Sequence, residues 1–391
     1  MRKSNAELNQ LKKEFNTDRL WSWSRINSVH NSLYEYYLKY IKHTPEDRQD
    51  SIYTVTGGIS HDTIEKFYTN EITYEQMIDE FEDGWTTAMI AELKFDRSDS
   101  AKNATIGDKY YYDLQHFFKN HKKIETKVML EQFVTIKIGE EYYQGYIDCL
   151  TKDVDGNYII IDWKTSTAYA GSKAENECGQ LVMYAMALHQ TGVPYEKIKI
   201  CWNFLKYQNI TVHMKNGTSK VRQIERAKIG ESLTANAKMW LKELGYEEQL
   251  MEYLDALAQT NDITVLPKDV QEKYICEDCY VYVDLTDELI KRWEDYIIET
   301  TKMIRDKEAE YEKLQALGEC ERAEKLWWED EESVKAQSYY FANLCSYSAK
   351  AHKPYAAYLE KLEAEKDDNL LGSKKKEDEY AEDDLSWLNN L

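Results

Sequence analysis

Apolar residues recur at the three- and four-residue spacing of helices over the first third of the chain, and that period breaks near residue 126. Residues 17–42 (TDRLWSWSRINSVHNSLYEYYLKYIK) predict a capped aromatic helix. Residues 57–69 (GGISHDTIEKFYT) predict another, opened by a glycine pair, and 71–125 predict more helix, first acidic and then aromatic and basic. The pattern then alternates as strands do through MLEQFVTIKIG, EYYQGYIDCLTKD and NYIIIDWKT. Turns are signalled at Gly139-Glu140 and at Asp155-Gly156, the latter a favoured hairpin dipeptide. A helix (KAENECGQLVMYAMALHQ) and a further strand (KIKICWNFLKY) complete an α/β unit. Helical pattern dominates again from 228, with a long charged helix near 286–316. The chain thus divides into a helical region 1–125, a core 126–207, a second helical region 208–363 packing on it, and an acidic tail 364–391 too poor in core residues to fold.

Composition narrows the class. The 391 residues are 42% hydrophobic with 31 tyrosines and only four prolines, enough for a large, helix-rich core. The net charge of -21 argues against coating nucleic acid by bulk attraction, though a local basic groove and bound cations could still act on it. No run of about 18 apolar residues predicts a membrane span, and MRKSNAELNQLKKEF has no apolar stretch of signal-peptide kind. Seven scattered cysteines suit a reducing compartment, so a cytoplasmic location is expected, or the host cytoplasm for a phage protein.

The chemistry gathers at strand ends. YIIIDWKT predicts a strand buried on both faces that ends in Asp162, with Lys164 two residues on and therefore on the same side. Asp148 closes the preceding GYID. Two converging carboxylates repel unless a cation lies between them, and oxygen ligands favour Mg²⁺ or Mn²⁺. A lysine beside such an ion can orient water and offset charge on a phosphate. A surface ion pair at a strand end is the plainer reading of D-x-K alone. Gln180 and Tyr184 share a helix face, where they could bond phosphate or bases or be ordinary surface polarity. His61, read as lying in the first turn of its helix, is either a further ligand or a structural histidine.

Together these pieces resemble the RecB-type branch of the PD-(D/E)xK nuclease superfamily: His61, then Gly145 to Asp148, then Asp162 to Lys164 with Thr165, then Gln180 to Tyr184. The resemblance implies a restriction-endonuclease-like α/β core, a central mixed sheet flanked by helices, with large helical N- and C-terminal additions. It implies that His61, Asp148, Asp162 and the main-chain carbonyl of Trp163 hold the metal, that Lys164 is catalytic, and that Gln180 and Tyr184 order the site and contact DNA. Glu131 stands where the family often has an acid opening the first strand. Relatives such as the AddB nuclease and the CRISPR-adaptation nucleases carry a 4Fe-4S cluster. Here the corresponding positions read Ser32, Ala342, Cys345 and Ala351, so the resemblance predicts no cluster, since serine and alanine cannot replace thiolates. Packing would then hold that region together.

Lys119, Lys122, Lys123 and Lys127, and Lys215, Lys220, Arg222, Arg226 and Lys228, form two basic stretches that could follow a DNA backbone or be solvated surface. Cys276 and Cys279 are read as a buried thiol pair rather than a zinc site. No P-loop occurs, so the expected substrate is DNA with free ends or single strands, or DNA opened by a separate helicase. Leu385, Trp387, Leu388 and Leu391 in the acidic tip could dock on a replication or recombination protein, or the tail could merely solubilise. The function expected is a metal-dependent DNA nuclease, an exonuclease of recombination, repair or phage DNA processing. The alternative is an inactive nuclease-fold scaffold that binds DNA or a protein.

Overall fold

The computed structural model describes residues 2–97 and 99–371. Seven strands form one mixed sheet: β1 (Trp21–Ser22), β2 (Met129–Ile138), β3 (Glu141–Lys152), β4 (Tyr158–Lys164), β5 (Ile198–His213), β6 (Ser219–Glu225) and β7 (Tyr274–Val283). Its main path runs β1-β3-β4-β5-β6, with β2 also on β3 and β7 also on β5. Helices of nine residues or more surround it: α1 (Asn5–Glu14), α2 (Trp23–Asn31), α3 (Ile52–Tyr68), α4 (Gln76–Ile90), α5 (Ser100–Asn120), α6 (Gly179–Gln190), α7 (Ile229–Glu243), α8 (Leu250–Thr260), α9 (Asp287–Ala316) and α10 (Lys353–Leu371). No described helix is long and apolar enough to cross a membrane.

The sheet is built around a gap in β3. One edge of β3 pairs with antiparallel β2 along its length, interrupted where Glu131 stands opposite Asp148. The other edge is shared: Tyr143 and Gln144 pair with parallel β1, and Cys149 to Lys152 pair with antiparallel β4. Residues 145–148, the G-x-x-D stretch, have no ladder partner on that edge. The β3–β4 hairpin closes through Asp153–Gly156, with Gly156 at φ +79° as the predicted Asp-Gly turn requires. That turn sets the register. Cys149 faces Ile161 as the last pair, so the next position would set Asp148 against Asp162. β4 then crosses through α6 to parallel β5.

Alternation along β4 feeds two cores. Ile160 packs beneath α6 and α9, while Ile161 and Trp163 pack against α3, α4 and α5. A third cluster joins the far ends of β5 and β6 to α7 and α8. The two-sided burial expected of the isoleucine run is therefore present.

Several expected elements differ. The predicted helix 17–42 is split: Trp21 and Ser22 pair as β1, and Ser32, in extended conformation, separates α2 from a short following helix. α3 starts at the Ser51 cap rather than at the glycine pair, so His61 lies mid-helix rather than in a first turn. The two glycines sit inside the helix, where a Cβ on Gly58 would meet nothing within 4 Å and one on Gly57 only Thr165 Oγ1 at 3.9 Å. Their missing side chains leave space instead of ending a helix. The region after 208 is not all helical, because β6 and β7 add to the sheet. α10 carries helix on to Leu371, past the expected start of the tail at 364. The tail positions 385–391 lie outside the described residues.

Candidate active site

At the gap in β3, side chains from four elements meet. Asp148 Oδ2 accepts the Trp163 N–H at 3.3 Å, which ties the end of β3 to β4 where the ladder stops. His61 reaches over from α3, with Nε2 2.8 Å from the Trp163 carbonyl and Nδ1 3.6 Å from Asp148 Oδ2. Lys164 Nζ lies 2.8 Å from Asp162 Oδ2, as same-side residues of a strand can. From α6, Gln180 Nε2 donates to Tyr184 Oη at 3.0 Å. Tyr184 in turn packs over Gly145 on the face of β3. A Cβ on Gly145 would stand 2.5 Å from Tyr184 Cε1, so only glycine admits the ring there. The structure thus brings His61, Asp148, Trp163, Asp162, Lys164, Gln180 and Tyr184 into one neighbourhood.

Glu131 belongs to it as well. It is the one β2 residue between Leu130 and Gln132 that makes no pair, opposite Asp148, and its φ of +45° is strained for a residue with a side chain. Its carboxylate adds to the negative field on Asp148.

Electrostatics follow from the crowding. Burial, then the Asp162 charge, push the Asp148 carboxyl up to about 6, against the pull of His61 and Lys164. Burial alone would lower the Lys164 ammonium, but the Asp162 carboxylate outweighs it and holds the group charged. Burial also raises the Tyr184 phenol, which therefore stays a hydrogen-bond donor.

Two clefts open at these residues. One, of about 560 Å³, is lined by His61, Glu131, Asp148 and Trp163 together with Gly57 and Gly58. The other, of about 970 Å³, holds Lys164 and Gln180, the aromatic side chains Trp23, Tyr169 and Trp202, and a wall from 332–344. That wall is tied to α2 by Gln337 Nε2 donating to the His30 carbonyl at 3.1 Å. None of these aromatic residues carried a motif in the sequence; they come together only through the sheet and its crossover.

The donor set suits a hard divalent ion: two carboxylates with excess negative charge, a carbonyl and an imidazole. Among the described residues no three His, Cys, Asp or Glu side chains already stand as a ligand group. His61 is bonded to the Trp163 carbonyl and Lys164 is paired with Asp162, and both contacts would have to open around a cation.

Arg226 corrects one expectation. It is 0% exposed, donating to the Leu205 carbonyl at 2.8 Å and to Asp278 Oδ1 at 2.9 Å, so it cannot meet a DNA backbone. Its neighbours in the basic stretches, Lys119, Lys122, Lys123, Lys127, Lys215, Lys220 and Lys228, are exposed. Cys276 and Cys279, three apart on β7, point into different cores and do not form a thiol pair.

At the positions of the cysteine box, Ser32 is fully engaged. Its hydroxyl donates to Glu329 Oε1 at 2.5 Å and accepts the Glu35 N–H at 2.9 Å. It also stands 3.0 Å from His352 Nε2. His352 Nδ1 accepts the Tyr355 N–H, so Nε2 carries the proton and donates to Ser32. Cys345 is buried, and burial raises its thiol. The region is therefore held by a polar chain through segments 32, 329 and 352 as well as by the expected packing.

A mixed sheet flanked by helices that forks over a carboxylate pair, with a lysine at the strand end, is an α/β architecture with its acidic chemistry at strand ends. A family model of the PD-(D/E)XK nuclease superfamily matches residues 20–324, and the chain belongs to that superfamily. The match implies a hydrolase acting on nucleic acid, in a family that generally uses divalent metals. No match is found among curated proteins.

Proposed function

We propose that this chain is a Mg²⁺- or Mn²⁺-dependent deoxyribonuclease of the RecB type, an exonuclease acting on DNA ends or single strands in recombination, repair or phage DNA processing. The observation that carries the reading is the Asp148–Asp162 pair at the gap in β3 with Lys164 beside it. A buried carboxylate pair costs stability, and a binding scaffold has no physical use for it.

In this reading the α/β core of 126–207 carries the chemistry, and the regions 1–125 and 208–363 shape access to it. Asp148, Asp162, His61 and the Trp163 carbonyl would hold the ion, with Glu131 nearby. Bound there, a divalent cation supplies Lewis acidity and an activated water. Lys164 leaves Asp162 and offsets the charge that develops on phosphorus. Gln180 fixes the Tyr184 hydroxyl, which donates to a phosphate or base. The raised pKa of Asp148 marks a carboxylate whose charge the fold leaves poorly compensated, and a bound cation would offset that charge.

The residues at the family's cluster positions do not fit an iron–sulfur cluster. Ser32 has its hydroxyl committed to Glu329 and His352, and Ala342 and Ala351 offer no ligand atom.

The test is digestion of end-labelled linear and closed circular DNA with Mg²⁺ or Mn²⁺, beside Asp162→Ala and Lys164→Ala. End-dependent cleavage lost in both variants supports the proposal. Cleavage of closed circles makes the enzyme an endonuclease. No cleavage with either metal sinks the reading in favour of a scaffold.

A further inference from the structure

Arg2 stands inside the acidic half of the site. Its Nε lies 3.1 Å from Glu131 Oε2, and its side chain helps line the 560 Å³ cleft beside His61 and Asp148. That lining includes four carboxylates, Asp62, Glu65, Glu131 and Asp148, while among the described residues Arg2 is its only lysine or arginine.

The placement is fastened. The Lys3 N–H donates to Tyr146 Oη at 2.6 Å, and the Lys3 ammonium lies 5.1 Å from the Phe133 ring centre. Ser4 and Glu7 form a capping box that starts α1. Past its other end, Phe15 stacks on Tyr142 at 4.6 Å and 7°. Tyr142 and Tyr146 both belong to β3, so α1 is pinned at two points to the strand that carries Asp148. No residue of α1 is itself buried. A helix with no core role, held at both ends, serves to fix what adjoins it.

A nucleic-acid strand entering this cleft meets four carboxylates, of which one divalent ion offsets only two charges. Lys164 faces the other cleft. We propose that Arg2 binds a backbone phosphate of the DNA strand next to the scissile one, on the side of the site opposite Lys164, and leaves Glu131 as it does so. The inference rests on the nuclease reading above. The guanidinium fork suits two phosphate oxygens, and the Arg2 side chain is 76% exposed, free to swing from Glu131 to an incoming strand. Glu131 is then released to face the cation.

The test compares the unmodified full-length chain, tagged at its C-terminus, with Arg2→Ala, Arg2→Lys and the exposed-surface control Lys13→Ala. Binding of a fluorescent single-stranded oligodeoxynucleotide is titrated in Ca²⁺ over a range of salt, and cleavage is followed in Mn²⁺. Arg2→Ala is expected to bind about tenfold more weakly, the worth of one charge-assisted contact. Its salt slope is expected to fall by about 0.7, with Arg2→Lys keeping the slope. Unchanged affinity, slope and cleavage in Arg2→Ala would overturn the proposal. So would faster cleavage at lower Mn²⁺, which would make Arg2 a plug on the site. An unmodified chain that neither binds nor cuts DNA would overturn the nuclease reading and this inference with it. A chain that both binds and cuts DNA normally without Arg2 overturns the inference alone.

Discussion

Replacing Asp148 by asparagine should make the metal-free protein more stable while abolishing cleavage. The carboxyl stands at about 6 in the fold against 3.8 for the free group, because it is buried beside Asp162. The sign follows from linkage. A carboxyl whose folded pKa is raised costs nothing below pH 3.8, costs progressively more up to pH 6, and carries its full penalty above that. The two-unit difference corresponds to about 3 kcal/mol at pH 7. For a chain of this length it would raise Tm by about 3–6 °C, extending the usual size scaling. Asparagine keeps the shape and removes the charge. The assay is thermal unfolding in EDTA at pH 7.5 and pH 4, with and without added Mn²⁺. The variant should gain at pH 7.5 and gain under about 1 kcal/mol at pH 4, where the native carboxyl is already neutral. Mn²⁺ should raise Tm of the unmodified chain and leave the variant almost unmoved. If Asp148→Asn lowered Tm in EDTA at pH 7.5, the carboxylate would be net stabilised by its partners and the excess-charge argument for a cation site would fail.

Three further outcomes are expected. Gly145→Ala places a Cβ 2.5 Å from Tyr184 Cε1, so the ring and Gln180 must shift; cleavage should drop more than tenfold with a stability loss of about 1–3 kcal/mol. Normal cleavage by that variant would remove Tyr184 from the site. Ser32→Ala strips the buried Glu329 and His352 of a shared partner and should cost about 2–3 kcal/mol in urea unfolding; an unchanged midpoint would mean that packing alone holds the three segments. Burial holds both His116 and His352 down to about 4, against 6.5 for a free imidazole. The unfolded chain therefore takes up more protons than the fold between pH 6.5 and 4, and stability should fall as pH drops through that window, which His352→Gln should partly relieve.

How much of this could be read in the chain depended on sequence distance. Asp162 and Lys164 were legible because two residues on one strand share a side whatever the fold. Asp148 was picked out as the end of GYID and by its place in the family pattern, but its facing with Asp162, set by the Asp155-Gly156 turn, was not legible before the pairing was seen. His61 was recognised, but its helix was begun too late, because Gly57 and Gly58 look like punctuation when they are cavity walls inside a helix capped six residues earlier. Arg226 was misread for the opposite reason. Its neighbours are surface lysines, and nothing local announces that Asp278 and the Leu205 carbonyl await it. β7 hid behind its cysteines, since its pairing with β5 bridges about 70 residues of chain. Arg2 gave no signal at all; Glu131 lies 129 residues away.

The sharing of β4 between two cores has a consequence for when the proposed site comes together. Ile160 needs one helical layer, and Ile161 and Trp163 need the other. His61 arrives only with the α3 layer, whereas Gln180 and Tyr184 arrive only with α6. A chain emerging from the ribosome can form the β3–β4 hairpin early, carrying both carboxylates harmlessly. The complete constellation exists only after both faces of the sheet are covered, so the proposed site is assembled last, when folding is finished.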